Sequence, residues 1–340
     1  MDRKTVVKNI LILLAFVAVA GCVFGVIHYL DHQHGTEKKS EYDTAEPDPV
    51  CLYLGDLEYE ITDNIKTYLI VGTDWAGSKP NAKHYHGPMA DYLLLLVINK
   101  TKNTHGFVQI DRDTMTDIVR IGEDGDEESA DIEEEQICVS TWFGKDLDQG
   151  LYNLTESVYN VLGGLPIDGY YSINMDDIGK LNHAVGGVTV TVEDDLTHKD
   201  KALKPGATVH LTDEQAEIFV RSRMDVGDGT NESRMRRQRT YMDALLAQSK
   251  EKMASDKSYV SNVYNAMHDV ATTNIPGNRV SAIANLIYKT EPLGIKDIDG
   301  EHSEGKLDGD DKEYMRFYAD EDSILEILTE LCGLGEGREY

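Results

Sequence analysis

Several stretches of this chain carry their hydrophobic residues in unbroken runs instead of alternation. Tyr68-Leu69-Ile70-Val71 and Tyr92-Leu93-Leu94-Leu95-Leu96-Val97-Ile98 are short and continuous, the pattern of strands covered on both faces. A polar turn at Lys100–Thr104 followed by Gly106-Phe107-Val108-Gln109-Ile110 predicts the returning strand of a hairpin. Gly187–Val192 predicts another strand, after a helix that Asn174 caps and Gly186-Gly187 ends. Thr212 and Gln215 form a T-x-x-Q capping box that opens a helix from 213 to about 221. A longer helix, capped by Asn231 or Ser233, runs to about Lys250, and Ser323–Leu331 predicts a last one. Strands alternate with helices and no fixed-period repeat is visible, so the expected body is a layered α/β domain, not an all-β or all-α one.

One apolar run is of another kind. Ile10–Leu30 spans 21 positions without Asp, Glu, Lys or Arg, enough to cross a bilayer core at about 1.5 Å per residue. Arg3, Lys4 and Lys8 precede it, whereas Asp31, His32 and His34 follow, which places the body outside the cytoplasm. The expected organisation is a cytoplasmic tail (1–9), a single transmembrane signal-anchor (10–30), an extracytoplasmic linker (31–63), a catalytic domain (64–255) and a helical, acidic C-terminal segment (256–340). Val19-Ala20-Gly21-Cys22 also resembles a lipobox. Cleavage there leaves an unusually apolar mature start, so the uncleaved anchor is favoured.

Charge narrows the chemistry. The formal net charge is -28, yet six of the twelve arginines fall between Arg221 and Arg239. An acidic surface repels nucleic acid, whose binding depends on neutralised phosphates; a local guanidinium cluster instead points to a dedicated site for a multiply charged anion, phosphate first. On a helix, Arg234, Arg237, Gln238 and Tyr241 share one face, while Arg236 and Arg239 point elsewhere. The Gly/Asp turn at 225–231 brings Arg221 and Arg223 back toward that helix's start, itself favourable to anions. Outside the anchor, Cys51, Cys138 and Cys332 match no zinc spacing and allow at most one disulfide.

Carboxylates form a second constellation. Asp74 follows a buried strand, and Asp91 opens the next one; strand ends of an α/β sheet face the ligand crevice. Such a pair suits Mg²⁺. Asp111-Arg112-Asp113-Thr114 follows the hairpin, adding an arginine at a strand end. Glu123–Glu135 reads as a solvated acidic loop.

Together, Gly72-Thr73-Asp74, Ala90-Asp91, Arg112-Asp113-Thr114, Gly164-Leu165-Pro166-Ile167-Asp168, Ala184-Val185-Gly186-Gly187-Val188, Val220-Arg221-Ser222-Arg223 and Arg234-Met235-Arg236-Arg237-Gln238 stand in the order of a known family. Over about residues 66–250 the chain resembles the LytR-CpsA-Psr family. The resemblance implies an α/β fold, a three-layer α/β/α domain with a central mixed sheet, and a membrane-bound transferase that moves a glycopolymer from a polyprenyl-pyrophosphate carrier onto peptidoglycan. It also implies that Asp74 and Asp91 hold Mg²⁺ and that Arg112, Arg221, Arg223, Arg234 and Gln238 grip the pyrophosphate, with Arg237 on the same face and Asp113 as a base or an organiser of Arg112. Three positions depart from the family pattern. Met89 replaces an arginine, Asp111 a proline, and Gln136-Ile137-Cys138 a lysine-containing element. A wall-polymer binding protein without turnover and a lipid-pyrophosphate phosphatase are the competing functions.

Overall fold

A computed structural model of the chain describes residues 49–75, 87–120, 131–306 and 313–339. The expected span at 10–30 and Cys22 lie outside the described residues; among these, no helix is long and apolar enough to cross a membrane. The linker expected to reach residue 63 gives way earlier, to a hairpin of β1 (Cys51–Leu54) and β2 (Leu57–Glu60). Its interspersed charges hide the alternation that sends Leu52, Leu54 and Tyr59 into the core.

Next come β3 (Ile65–Asp74), β4 (Met89–Asn99) and β5 (Thr104–Ile110), an antiparallel meander. Leu69, Val71, Leu93, Leu95, Val97, Val108 and Ile110 point into one core. Tyr68, Leu94, Leu96, Ile98 and Phe107 point into the opposite one, which is why the runs are continuously apolar. A ribbon of β6 (Met115–Arg120) and β7 (Asp131–Gln136) follows, so the end of the expected acidic loop is strand. After a 3-10 turn at Ile137–Trp142, α1 (Leu147–Val161) lays Leu151, Leu154 and Val158 on the first core.

β8 (Tyr170–Asn174) runs parallel to β3. Asn174 caps the turn that enters α2 (Ile178–Ala184), and Gly186 and Gly187, at φ 79° and 80°, end it. β9 (Thr189–Thr191) and β10 (Thr208–His210) pair only with each other, so the strand expected at 187–192 stands apart from the central sheet. The capping box of Thr212 and Gln215 opens α3 (Asp213–Arg221). Thr230, one residue before the expected caps, caps α4 (Asn231–Ser255).

The rest of the chain is α5 (Tyr259–Met267), β11 (Ala271–Thr273), α6 (Gly277–Lys289), β12 (Glu291–Asp297), β13 (Gly300–Lys306), β14 (Glu313–Ala319), α7 (Glu321–Cys332) and β15 (Arg338–Glu339). The central sheet has the order β11-β8-β3-β4-β5-β12 and is mixed. α1 and α7 cover one face; α4 and α6 cover the other. Both edge strands and α7 come from the segment set apart as 256–340, and residues 49–340 make one unit, so the division expected at 255 runs through a single core. Cys51, Cys138 and Cys332 are free thiols.

Candidate functional site

The site starts from an irregularity in the sheet. β3 and β4 pair Gly72 with Tyr92 but Thr73 with Ala90, which leaves Asp91 as the extra residue of a bulge. Bulges re-aim side chains beside functional sites, and here Asp91 stands at the strand end with Asp74. Gly72 permits the arrangement, because a Cβ there would lie 2.7 Å from Met175 Sδ and 2.9 Å from Tyr92 Cβ. On the neighbouring strand end, Asp111 folds the chain into a turn. Its carboxylate accepts from Asp113 N at 2.9 Å, and its carbonyl accepts from Thr114 N at 3.1 Å. Arg112 at the tip of this turn ion-pairs with Asp91.

α4 completes the group. Its most buried face is polar, carrying Asn231, Arg234, Arg237, Gln238 and Tyr241, whereas Met235, Met242, Leu245 and Leu246 are only partly buried. Arg234 reaches Asp91 Oδ2 at 3.3 Å and donates to Asn231 Oδ1 at 2.7 Å. Both oxygens of Asp91 thus face a guanidinium, and Arg112 and Arg234 have side chains only 12 % and 7 % exposed. Arg112 also lies 3.4 Å from Asp113 Oδ1, so two guanidinium groups and two carboxylates are packed together in a poorly solvated place.

Several polar atoms of this group have no partner. Asp113 Oδ2, Arg223 Nε, Arg234 Nε and Gln238 Oε1 are buried without a hydrogen bond, while Arg112 Nε has only the longer contact of 3.4 Å with Asp113 Oδ1. Buried polar groups are nearly always satisfied, so their concentration around Asp91 and the start of α4 marks a place where a ligand supplies the missing partners. The donors among them suit a phosphate oxygen.

The remaining expected residues divide. Arg221 binds Asp74 at 2.9 Å and Glu217 at 2.8 Å, and also pairs with Asp176. Arg237 does not join the site. Its side chain is 1 % exposed, Nε donates to Phe219 O at 3.2 Å, and its other nitrogens go to Asp194 and Ser222 O. It is a brace between α3 and α4. Gln238 donates to Val220 O at 3.3 Å. Arg236 is half exposed, 3.7 Å from Glu193 and from Asp194, while Arg239 pairs with Asp297 and is not the surface residue its helical position suggested.

The departures from the family pattern meet at Arg112. Met89 Sδ and Cys138 Sγ each lie 3.1 Å from its Nη2, and Gln136 donates to Asp113 Oδ1 at 3.0 Å. Asp111, Asn231 and His302 were not singled out as site residues by sequence. Asp111 and Asn231 stand beside expected residues, but His302, 3.1 Å from Asp111, is 191 positions away and carried no signal.

Electrostatics follow from burial. Asp74 is raised above the usual carboxylate range by burial, which Asp91 reinforces and Arg221 opposes. Burial likewise raises Asp113, opposed by Arg112, and lowers Arg234 despite Asp91. The Cys138 thiol is pushed up to about 11 by burial. Among the described residues no group of three His, Cys, Asp or Glu is arranged to hold a metal. Asp74 nevertheless fits Mg²⁺: it is a hard oxygen donor that gives only Oδ2 to a described residue, and one or two carboxylates plus phosphate oxygens are the usual Mg²⁺ set. Asp91 stands at the adjoining strand end as the second carboxylate, with both oxygens already on guanidinium groups.

The LytR_cpsA_psr family model matches residues 27–332. The polyisoprenyl-teichoic acid–peptidoglycan teichoic acid transferase TagU of Halalkalibacterium halodurans is 29 % identical over 181 residues, 53 % of this chain and 52 % of that protein. The chain spans about half the length of the curated relatives it matches. The structure of B. subtilis TagU aligns at a TM-score of 0.51 and 21 % identity, over 79 % of this chain and 95 % of that one. TagT bound to LI-WTA aligns at 0.57 and 17 %, over 80 % and 92 %. Both share the mixed α/β fold with its central mixed sheet.

Proposed function

The chain belongs to the LytR-CpsA-Psr family, and from that membership we propose that it is a cell-envelope phosphotransferase, moving a glycopolymer from a polyprenyl-pyrophosphate carrier onto peptidoglycan. The transferase names of the TagU relatives support the reaction class. The observation that carries the reading is the pair of buried guanidinium donors without a partner, Arg223 Nε and Arg234 Nε, beside a doubly paired Asp91. A pyrophosphate offers acceptor oxygens to these arginines. Anchoring by residues 10–30, with the body outside the cytoplasm, belongs to the same proposal.

In the reaction, a hydroxyl oxygen of the wall bonds to the sugar-proximal phosphorus. The bond from that phosphorus to the bridging oxygen breaks, and polyprenyl phosphate departs with the bond's electron pair, leaving a phosphodiester. Arg112, Arg223 and Arg234 bind and orient the diphosphate oxygens, and Arg221 joins them from the rim. Asp113 takes the hydroxyl proton on Oδ2; burial makes this carboxylate more basic than an exposed aspartate. Asp74 and Asp91 would hold Mg²⁺, which when bound neutralises charge on the phosphate oxygens.

The test is single-turnover transfer by the full-length chain in detergent, with a polyprenyl-pyrophosphate-linked glycan as donor and peptidoglycan strands as acceptor. Transfer should fall by roughly 10² in Arg234→Ala, the scale of a lost transition-state electrostatic group, and should stop with chelator. Donor binding without release of polyprenyl phosphate would establish the non-catalytic binding protein instead. Glycan phosphate released without acceptor would establish the phosphatase.

A further inference from the structure

Hairpin β13–β14 supplies none of the arginines around Asp91, yet it is tied to the site at three points. Phe317 N donates to Asp113 O at 2.8 Å, Met315 O accepts from Gln136 at 2.7 Å, and His302 Nε2 lies 3.1 Å from Asp111 Oδ2. The last contact begins a continuous chain. Asn231 Nδ2 donates to Asp111 Oδ1 at 2.7 Å, Arg234 donates to Asn231 Oδ1 at 2.7 Å, and Arg234 pairs with Asp91 at 3.3 Å. Asp111, Asn231 and Arg234 are 4 %, 4 % and 6 % exposed, so no water competes easily for these bonds. His302 is the more exposed outer end, tilted against Phe317 with ring centroids 4.7 Å apart, and it faces a cavity of about 340 Å³ with Asp111, Met235 and Arg239.

We propose that His302 and Asp111 are positioning residues for Arg234, through which the C-terminal hairpin sets the direction of the guanidinium that grips the donor. A fixed-length amide, Asn231, links them, so displacing the Asp111 carboxylate turns Asn231 and with it Arg234. The Nη2 bond to Asn231 and the Nη1 pair with Asp91 leave Nε as the buried donor without a partner. Rotating the guanidinium out of this setting misdirects that donor without removing any charge. This inference rests on the proposed function for what Arg234 grips; the relay itself is a property of the free protein.

The experiment therefore has a ligand-free arm and a ligand arm, both on the full-length chain in detergent. In ¹⁵N-arginine-labelled protein, the Arg234 Nε–H resonance is identified by its loss in Arg234→Lys. His302→Phe keeps the ring on Phe317 but removes the hydrogen bond, and should move the Arg234 resonance while the Arg237 resonance stays. His302→Gln restores a donor and should return it toward the wild-type position. In the second arm, geranyl pyrophosphate should bind about tenfold more weakly to His302→Phe and regain affinity in His302→Gln, the effect of one hydrogen bond to a charged group. An Arg234 resonance unmoved in His302→Phe overturns the relay whatever binds. A resonance that responds in a protein without affinity for geranyl pyrophosphate upholds the relay and overturns the proposed function.

Discussion

The crevice has two acidic centres that are built in opposite ways. At Asp91, two arginines with side chains 12 % and 7 % exposed close on a single carboxylate and keep buried donors unused. At Asp74, one arginine, 28 % exposed, is shared among Asp74, Asp176 and Glu217. With Asp113 also 3.4 Å from Arg112, arginines and carboxylates are balanced in the first place, whereas carboxylates outnumber the arginine in the second. The buried centre is therefore organised before any ligand arrives, whereas Arg221 at the rim must leave carboxylates to meet one. A cation on Asp74 would release it, which gives the rim a reason to be open where the inner centre is closed.

This contrast orders the expected effects. Arg234→Ala or Arg112→Ala should lower single-turnover transfer by roughly 10² or more, and leaving Asp91 half-paired should also lower the melting temperature. Arg237→Ala, on the same helix face, should act through stability, about 3–5 kcal/mol in denaturant unfolding, because Asp194 keeps only the distant Arg236 and the carbonyls of Phe219 and Ser222 lose their buried donor. If Arg237→Ala instead stays stable and loses only transfer, the division of that face between brace and site is wrong. Arg221→Ala should cost about tenfold in transfer and under about 1 kcal/mol in stability, since exposed pairs are screened. Equal losses for Arg221→Ala and Arg234→Ala would erase the difference between rim and interior.

A smaller effect concerns pH. The Asp113 carboxyl is raised by burial and by Asp111, while Arg112, Arg223 and Arg234 lower it. As the base it must be ionised, so the rate should fall as pH drops through this raised value, above the usual aspartate range of about 4. Arg223→Ala removes a lowering charge and should move the acid limb of the rate profile to higher pH. Smallest of all, Arg236→Ala should stay within about 0.5 kcal/mol of the parent in stability, because its own side chain is half exposed and its carboxylate partners lie 3.7 Å away.

Much of the fold was legible because it depends on local rules. Continuous apolar runs gave both faces of β3 and β4, and the Thr212–Gln215 box and Gly186-Gly187 gave helix ends through hydrogen bonds and backbone freedom confined to a few residues. Asp74, Asp91, Arg112 and Arg234 were legible as charges at element ends. What stayed hidden is decided at long range. Helical phase alone could not separate Arg234 from Arg237, because Asp91 meets one and the carbonyls of Phe219 and Ser222 meet the other. The bulge that presents Asp91 is a register event between two strands. Edge strands β11 and β12 have too few apolar residues to announce a sheet, and His302 acquires its place only through packing.

The sheet of β1, β2 and β15 joins the two ends of the described body: Arg338 pairs across from Glu58, and Thr62 donates to Gly333 O at 2.7 Å over 271 positions. β15 can join this sheet only after nearly all of the described body has been made. Closing so long a loop is slow. Until then β2, paired with β1 on one side, has an open edge on the other, free to pair with another chain. The seam is thus the step at which a nascent copy is most exposed to misassembly, and the arrival of β15 ends that exposure.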